Sequence, residues 1–98
     1  MKILQWNARS IIQKKHELEN IINQKHFNII IIVETWFKEH KFKMKHYDSI
    51  RNDRADGKGG VCIFVDKSIN ITSQQKYTDV QNGFQYTEIS ILAIYIPN

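Results

Sequence analysis

Ile29-Ile30-Ile31-Ile32-Val33-Glu34-Thr35-Trp36 is the stretch on which the fold turns. Five residues branched at Cβ run without a break, and then a carboxylate, a hydroxyl and an indole follow. Branched side chains lose rotamer freedom in a helix and fit a pleated surface. A short run that is apolar on both faces reads as a central strand covered on both sides. Glu34 stands where that strand ends. A charge beside such a core costs free energy unless something pairs with it, and in open α/β sheets ligand sites gather at the carboxyl ends of strands. Glu34 is therefore the first candidate for chemistry. The same residue also fits a solvated acid that simply ends a strand.

Working outward toward the amino terminus, Lys2 to Trp6 alternates as a strand, with Leu4 and Trp6 on one face and Ile3 and Gln5 on the other; Asn7 follows at its carboxyl end. Ser10 with Gln13 three residues later has the form of a capping box and predicts a helix start there. The helix should run to about Gln24, with Ile11, Leu18, Ile21 and Ile22 inward and Lys14, Lys15, Glu17 and Glu19 toward water. Lys25 to Asn28 turns the chain into the central strand. Strand, helix, strand implies a parallel pair joined by a crossover, which puts Asn7 and Glu34 at the same edge of a sheet.

Toward the carboxyl terminus, Lys38, Lys41, Lys43 and Lys45 are opposed only by Glu39 and are interleaved with Phe37, Phe42 and Met44. Basic residues mixed with aromatics suit nucleic acid; a solvated loop with apolar anchors fits the pattern equally. Tyr47 to Arg51 reads as a strand and Asn52 to Lys58 as a polar turn. Gly59-Gly60 opens a strong strand over Val61 to Val65. The two glycines suit either backbone approach to a phosphate or a hairpin turn. Asp66 to Ser68 reads as a turn, Ile69 to Thr72 as a short strand, Ser73 to Gly83 as a polar loop, and Phe84 onward as strand to the end.

The chain of 98 residues is one domain at most, and 42% hydrophobic residues suit a globular rather than a disordered chain. No run is long enough to cross a bilayer, and the amino terminus enters a strand pattern with no sign of a signal peptide. A single cysteine, Cys62, excludes an internal disulfide and suits a reducing, intracellular compartment. The four histidines lack zinc-finger spacing. A net charge of +4 favours a polyanionic partner.

Four pieces in order, Leu4-Gln5-Trp6-Asn7, Val33-Glu34-Thr35-Trp36, Arg51-Asn52-Asp53-Arg54 leading to Gly59-Gly60-Val61, and Ile94-Tyr95-Ile96-Pro97-Asn98, resemble the amino-terminal half of the endonuclease/exonuclease/phosphatase family. The resemblance covers essentially the whole chain and is nearest to the endonuclease domains of jockey-type non-LTR retrotransposons. It implies an α/β fold: half of a two-sheet, DNase I-like sandwich, one mixed sheet with a helix on one face. It implies that Glu34 binds a divalent metal, usually Mg2+, that Asn7 belongs to the same polar cluster, and that Tyr95 lies near the scissile phosphate. By the same resemblance Arg51 and Arg54 face DNA and Asn98 contacts its backbone; Lys41, Lys43 and Lys45 join them on charge.

The chain departs from the family pattern as well. It has neither the Gly-Asp-x-Asn nor the Ser-Asp-His motif of the family's second half. Val33 stands where glutamine is common. Phe84 to Ile96 holds no glycine, proline or asparagine for the turn that usually precedes Tyr-x-Pro, so either one long strand replaces a hairpin or residues have been lost. The expectation is therefore a truncated part of a Mg2+-dependent DNA endonuclease from a retrotransposon-like element, inactive alone. A noncatalytic basic fragment that binds nucleic acid weakly is the alternative. A phosphoesterase for phospholipid or inositol phosphate is a third reading, which the Arg-x-x-Arg and Gly-Gly spacing disfavours. A half-sandwich would leave one sheet face apolar and exposed, open to self-association.

Overall fold

The computed structural model describes residues 1–38, 41–54, 58–79 and 84–92. The elements run β1 (Ile3–Asn7), a 3-10 turn (Ile12–Lys14), α1 (Lys15–Gln24), β2 (Ile29–Val33), β3 (Tyr47–Asn52), β4 (Val61–Asp66), β5 (Asn70–Asp79) and β6 (Phe84–Leu92). The first four strands form one mixed sheet in the order β1-β2-β4-β3. β1 and β2 are parallel, with Asn7 opposite Val33. β4 is antiparallel to β2 and β3 on either side, with Val33 and Asn52 both opposite Val61. The aliphatic run is thus an interior strand, as its composition demands.

One face of the sheet buries Ile30, Ile32, Cys62 and Phe64 under Ala8, Ile11 and Leu18 from the crossover and Phe37, Phe42 and Met44 from the segment before β3. The aromatic rings stack in a chain across it, with centroids 5.2 Å apart for Phe37–Phe42 and 5.9 Å for Phe42–Phe64. Phe37, Phe42 and Met44 therefore cover this face, and the alternation over 41–45 is real: Phe42 and Met44 are buried while Lys41, Lys43 and Lys45 are exposed. Burial pushes the Cys62 thiol up to about 12, the nearby Arg51 guanidinium only partly offsetting it; the thiol is protonated and inert at neutral pH.

The helix begins later than the capping pattern predicts. Ser10 adopts φ +78°, and the 3-10 turn and α1 both start without a side-chain cap. The physical reason is that the Ser10 and Ile11 amides already donate to the Glu34 and Thr35 carbonyls, at 3.0 and 3.1 Å. The chain is held in the parallel ladder until Ile11. Lys14 and Lys15 do not simply face water either. Lys14 lies 5.8 Å over the Trp6 ring and donates to the Ala8 carbonyl, and Lys15 lies 5.5 Å over Phe42, so their stems cover apolar surface. Ile21, expected inward, is 39% exposed.

The other face corrects a second expectation. Ile29, Ile50, Ile63 and Val65 are buried, because Ile69, Ile71, Ile89 and Ile91 pack against them. The residues 73–79, read as loop, form most of β5, which pairs antiparallel with β6 as a separate two-stranded sheet. Polar side chains there hid the strand: β5 is exposed along nearly its whole length, so it lacks the buried alternation that marks a strand in sequence. This ribbon packs against β3 and β4. Among the described residues the β1 flank of that face stays open, with Ile3 55% exposed.

Truncating Phe64 to alanine should cost about 3–5 kcal/mol, a large share of the roughly 5–15 kcal/mol that holds a domain together. Ile3→Lys should cost under about 0.5 kcal/mol, as at any exposed site. Urea melts of the two variants check both.

Candidate functional site

Asn7 ends β1 and Glu34 follows β2, so the parallel pairing of these strands brings both residues to one carboxyl edge. The ladder does not stop at Val33. Ala8 donates to the Val33 carbonyl at 3.0 Å, and Ser10 and Ile11 continue onto Glu34 and Thr35. From the other side, Thr35 and Trp36 donate to the Gly60 and Gly59 carbonyls at 3.3 and 2.9 Å. Three segments, 8–11, 33–36 and 59–60, are thereby laced together by backbone.

The lacing holds the chain in strained conformations. Arg9, Ser10, Glu34 and Trp36 have φ of +46°, +78°, +52° and +55°. The left-handed region costs a residue with a Cβ roughly 1–2 kcal/mol, and such residues persist only where the surroundings over-determine them. Gly59 and Gly60, at φ +67° and +86°, supply the same geometry without that cost. They lie in the β3–β4 connection, which is the hairpin reading of the glycines, and their carbonyls serve Trp36 and Thr35.

Glu34 is half-buried, Asn7 is exposed, and neither side chain has a hydrogen-bond or ionic partner among the described residues. Asp53, after β3 at this edge, is committed: it accepts from Arg51 at 2.5 and 3.2 Å. Glu34 is thus an acid at this edge with its oxygens unspent among the described residues. One carboxylate, with the Asn7 amide at the same edge, suits a hydrated Mg2+, which takes few protein ligands and keeps several waters. No group of three or more His, Cys, Asp or Glu side chains gathers around a common point among the described residues.

Arg51 and Arg54 both lie at this edge. Arg51 is clamped between Asp53 and the Phe37 ring, 4.0 Å from its centroid, so it anchors segment 37–46 to β3. Arg54 is exposed, with its side chain over Gly59. Asn52 ties the second sheet to the same edge: its amide donates to the Tyr77 carbonyl at 2.9 Å, and the Thr78 hydroxyl donates to its oxygen at 3.1 Å. Lys41, Lys43 and Lys45 do not join the cluster. They run away from it across the helix-bearing face, and Lys45 ends beside the amino-terminal end of β3, about a strand length, roughly 20 Å, away. Tyr95 and Asn98 lie outside the described residues. Residues that sequence reasoning did not single out are Thr35, a polar residue fully buried in the core, and Trp36, whose Nε1 is buried with no acceptor among the described residues. Nothing in the sequence marks Thr35, because its role depends on a glycine 25 positions later.

The opposite edge carries a separate polar cluster. His26 Nε2 and Asp66 Oδ2 are 2.5 Å apart, and Tyr47, stacked near His26, donates to the Phe27 carbonyl at 2.6 Å. The Ser68 amide donating to Asp66, helped by Ser68's hydroxyl and by His26, holds the carboxyl below its usual range. Burial and the nearby Asp66 raise the Tyr47 phenol.

No family model and no curated protein matches this chain. Among solved structures, the catalytic domain of Xenopus laevis APE2 superposes with a TM-score of 0.61 at 24% identity over 78% of this chain. The chain spans 26% of that structure's length. The fold is thus DNase I-like, and the mixed sheet with one helix is consistent with half of that sandwich. No helix among the described residues is long and apolar enough to cross a membrane.

Two outcomes follow from this geometry. Glu34→Gly relieves a left-handed residue and should leave the fold as stable or raise it by up to about 1 kcal/mol, read by urea denaturation. Asp66 has a depressed folded-state pKa, so its contribution is present above the unfolded value of about 3.9 and is lost as pH falls through the folded one. Stability measured from about pH 5 down to about pH 1 should therefore fall less steeply in Asp66→Asn than in the parent.

Proposed function

We propose that this chain is the amino-terminal part of a Mg2+-dependent DNA endonuclease domain of a jockey-type, retrotransposon-like element, and that these 98 residues alone bind DNA weakly without nicking it. The observation that carries the reading is the pair Asn7 and Glu34 at one carboxyl edge, with Glu34 unpaired among the described residues and held in a left-handed backbone. The likeness in fold to an APE2 catalytic domain supports it.

Glu34 would hold the metal through its carboxylate, and Asn7 would orient the polar cluster beside it. A metal there neutralises charge that develops on a phosphoryl oxygen during hydrolysis. The chain supplies no evident base. An amide does not usefully titrate, and a tyrosine such as Tyr95 has an unperturbed pKa near about 10. A positioned acid or base contributes roughly 10²–10⁴ in rate, so a chain without the Gly-Asp-x-Asn and Ser-Asp-His motifs should stay near background.

The alternative, a noncatalytic basic fragment, is favoured by one observation: the exposed lysines 41, 43 and 45 lead away from the Glu34 edge. Any self-association would have the β1 flank around Met1 and Ile3, 71% and 55% exposed, as an apolar contact among the described residues.

Two measurements decide between these. Supercoiled plasmid incubated with Mg2+ should remain unnicked by the parent and by Glu34→Ala alike; robust nicking by the parent that disappears in the variant would overturn the claim of inactivity. Duplex binding should weaken steeply with salt, and replacing Lys41, Lys43 and Lys45 together by alanine should flatten the log–log slope by up to about 3. An unchanged slope would make the segment a solvated loop with apolar anchors.

A further inference from the structure

Thr35 is pinned from both sides. Its carbonyl accepts from Ile11 at 3.1 Å and its amide donates to Gly60 at 3.3 Å. The side chain is fully buried, with the hydroxyl 3.5 Å from the Gly59 carbonyl. It fits only because Gly60 has no side chain: a Cβ there would stand 2.7 Å from Thr35 Oγ1, closer than such atoms can approach. Glu34 and Trp36, on either side of Thr35, are both left-handed, at φ +52° and +55°. Neither would adopt that backbone in isolation. What holds Glu34 there is the seating of its neighbour.

We infer that Thr35 and Gly60 form a latch that sets the position of the Glu34 carboxylate, making both of them positioning residues for the cation site. The inference rests on the reading of Glu34 as the cation-binding residue and adds how that residue is aimed. Thr35 seated against Gly60 fixes the backbone on both sides of its peptide, and the bend at Glu34 turns its side chain off the line of β2. With the latch unseated, the lower-energy backbone at Glu34 has negative φ, which swings the carboxylate away from Asn7 while leaving the side chain chemically intact.

The test separates aim from stability. Backbone shifts and three-bond couplings report the φ of Glu34 by NMR with no metal present, and Mn2+, added as a paramagnetic probe, broadens the amides next to any carboxylate that binds it. The variants are Gly60→Ala, Thr35→Ala and the two combined, with Val65→Ala as a destabilising core control far from this edge. Alanine at Gly60 is strained at φ +86° whatever the space, but that strain is common to the single and double variants. Their difference isolates the contact with Oγ1.

In the parent, Glu34 should show positive φ and Mn2+ should broaden Glu34 and Asn7. Gly60→Ala should lose the positive φ and weaken Mn2+ binding by about 10-fold or more, the range seen when outer-shell partners of metal ligands are removed. The double variant should recover most of both, and Val65→Ala should change neither. The latch is overturned if Gly60→Ala keeps Glu34 as it was, or if the double variant is as perturbed as the single. Should Gly60→Ala fail to fold, the double variant must fold or the latch is again overturned. If the parent shows no broadening near Glu34, the cation reading fails by itself, and the φ comparison still decides the latch.

Discussion

The parallel ladder between β1 and β2 is the constraint on which the other features depend. It is longer than the two strands. Backbone bonds from Ala8, Ser10 and Ile11 onto residues 33–35 carry it past the point where both chains leave the sheet. That extension delays the helix and coincides with left-handed backbone at Arg9, Ser10 and Glu34. A single local cause thus accounts for an uncapped helix start and for a candidate site at the same place. The strain is stored where an acid has no partner among the described residues, the combination expected when fold stability is sacrificed for a site.

Charge is divided between the two edges rather than spread evenly. At the Glu34 edge, Arg51 is satisfied by Asp53 and Phe37, and its cationic face is stacked rather than presented. Along the helix-bearing face the lysines of segment 41–45 project outward from a spine of Phe42 and Met44. The two readings of that segment, anchored loop and basic strip, describe its two sides. Apolar anchors hold it to β4, and the same alternation keeps every lysine exposed. A duplex lying on this strip would run along the sheet rather than sit over Glu34 alone.

Three strands of the first sheet were legible because each carries a signal of its own: an unbroken branched run at 29–33, alternation at 3–7, and glycines before 61–66. The shared edge of Asn7 and Glu34 followed from strand–helix–strand order alone. The second sheet was not legible over 73–79, because a solvated ribbon strand is held by backbone bonds to its partner and needs no apolar period. Ser10 shows a different kind of failure. Its capping box is correct as local chemistry, yet the Ser10 amide that Gln13 would satisfy is taken by Glu34, 24 positions onward. The stacking of Arg51 on Phe37, 14 positions apart, leaves no local trace in the sequence.

Thr35 marks the limit of what a sequence reading reaches. A threonine after a strand-ending acid looks like any surface hydroxyl, and two glycines before a strand look like a turn. Only their contact gives either a meaning, and the contact exists because β4 lies beside β2 in antiparallel register, with Val33 opposite Val61. That register carries the 59–60 backbone to the end of β2, where Thr35 and Trp36 need acceptors. Shifting the pairing by one residue would turn alternate side chains to the wrong face and would also remove the acceptors from this edge. The core and the bend at Glu34 are thus specified by the same pairing. With β2 and β4 so paired, what remains to set Glu34 is the contact of Thr35 with Gly60.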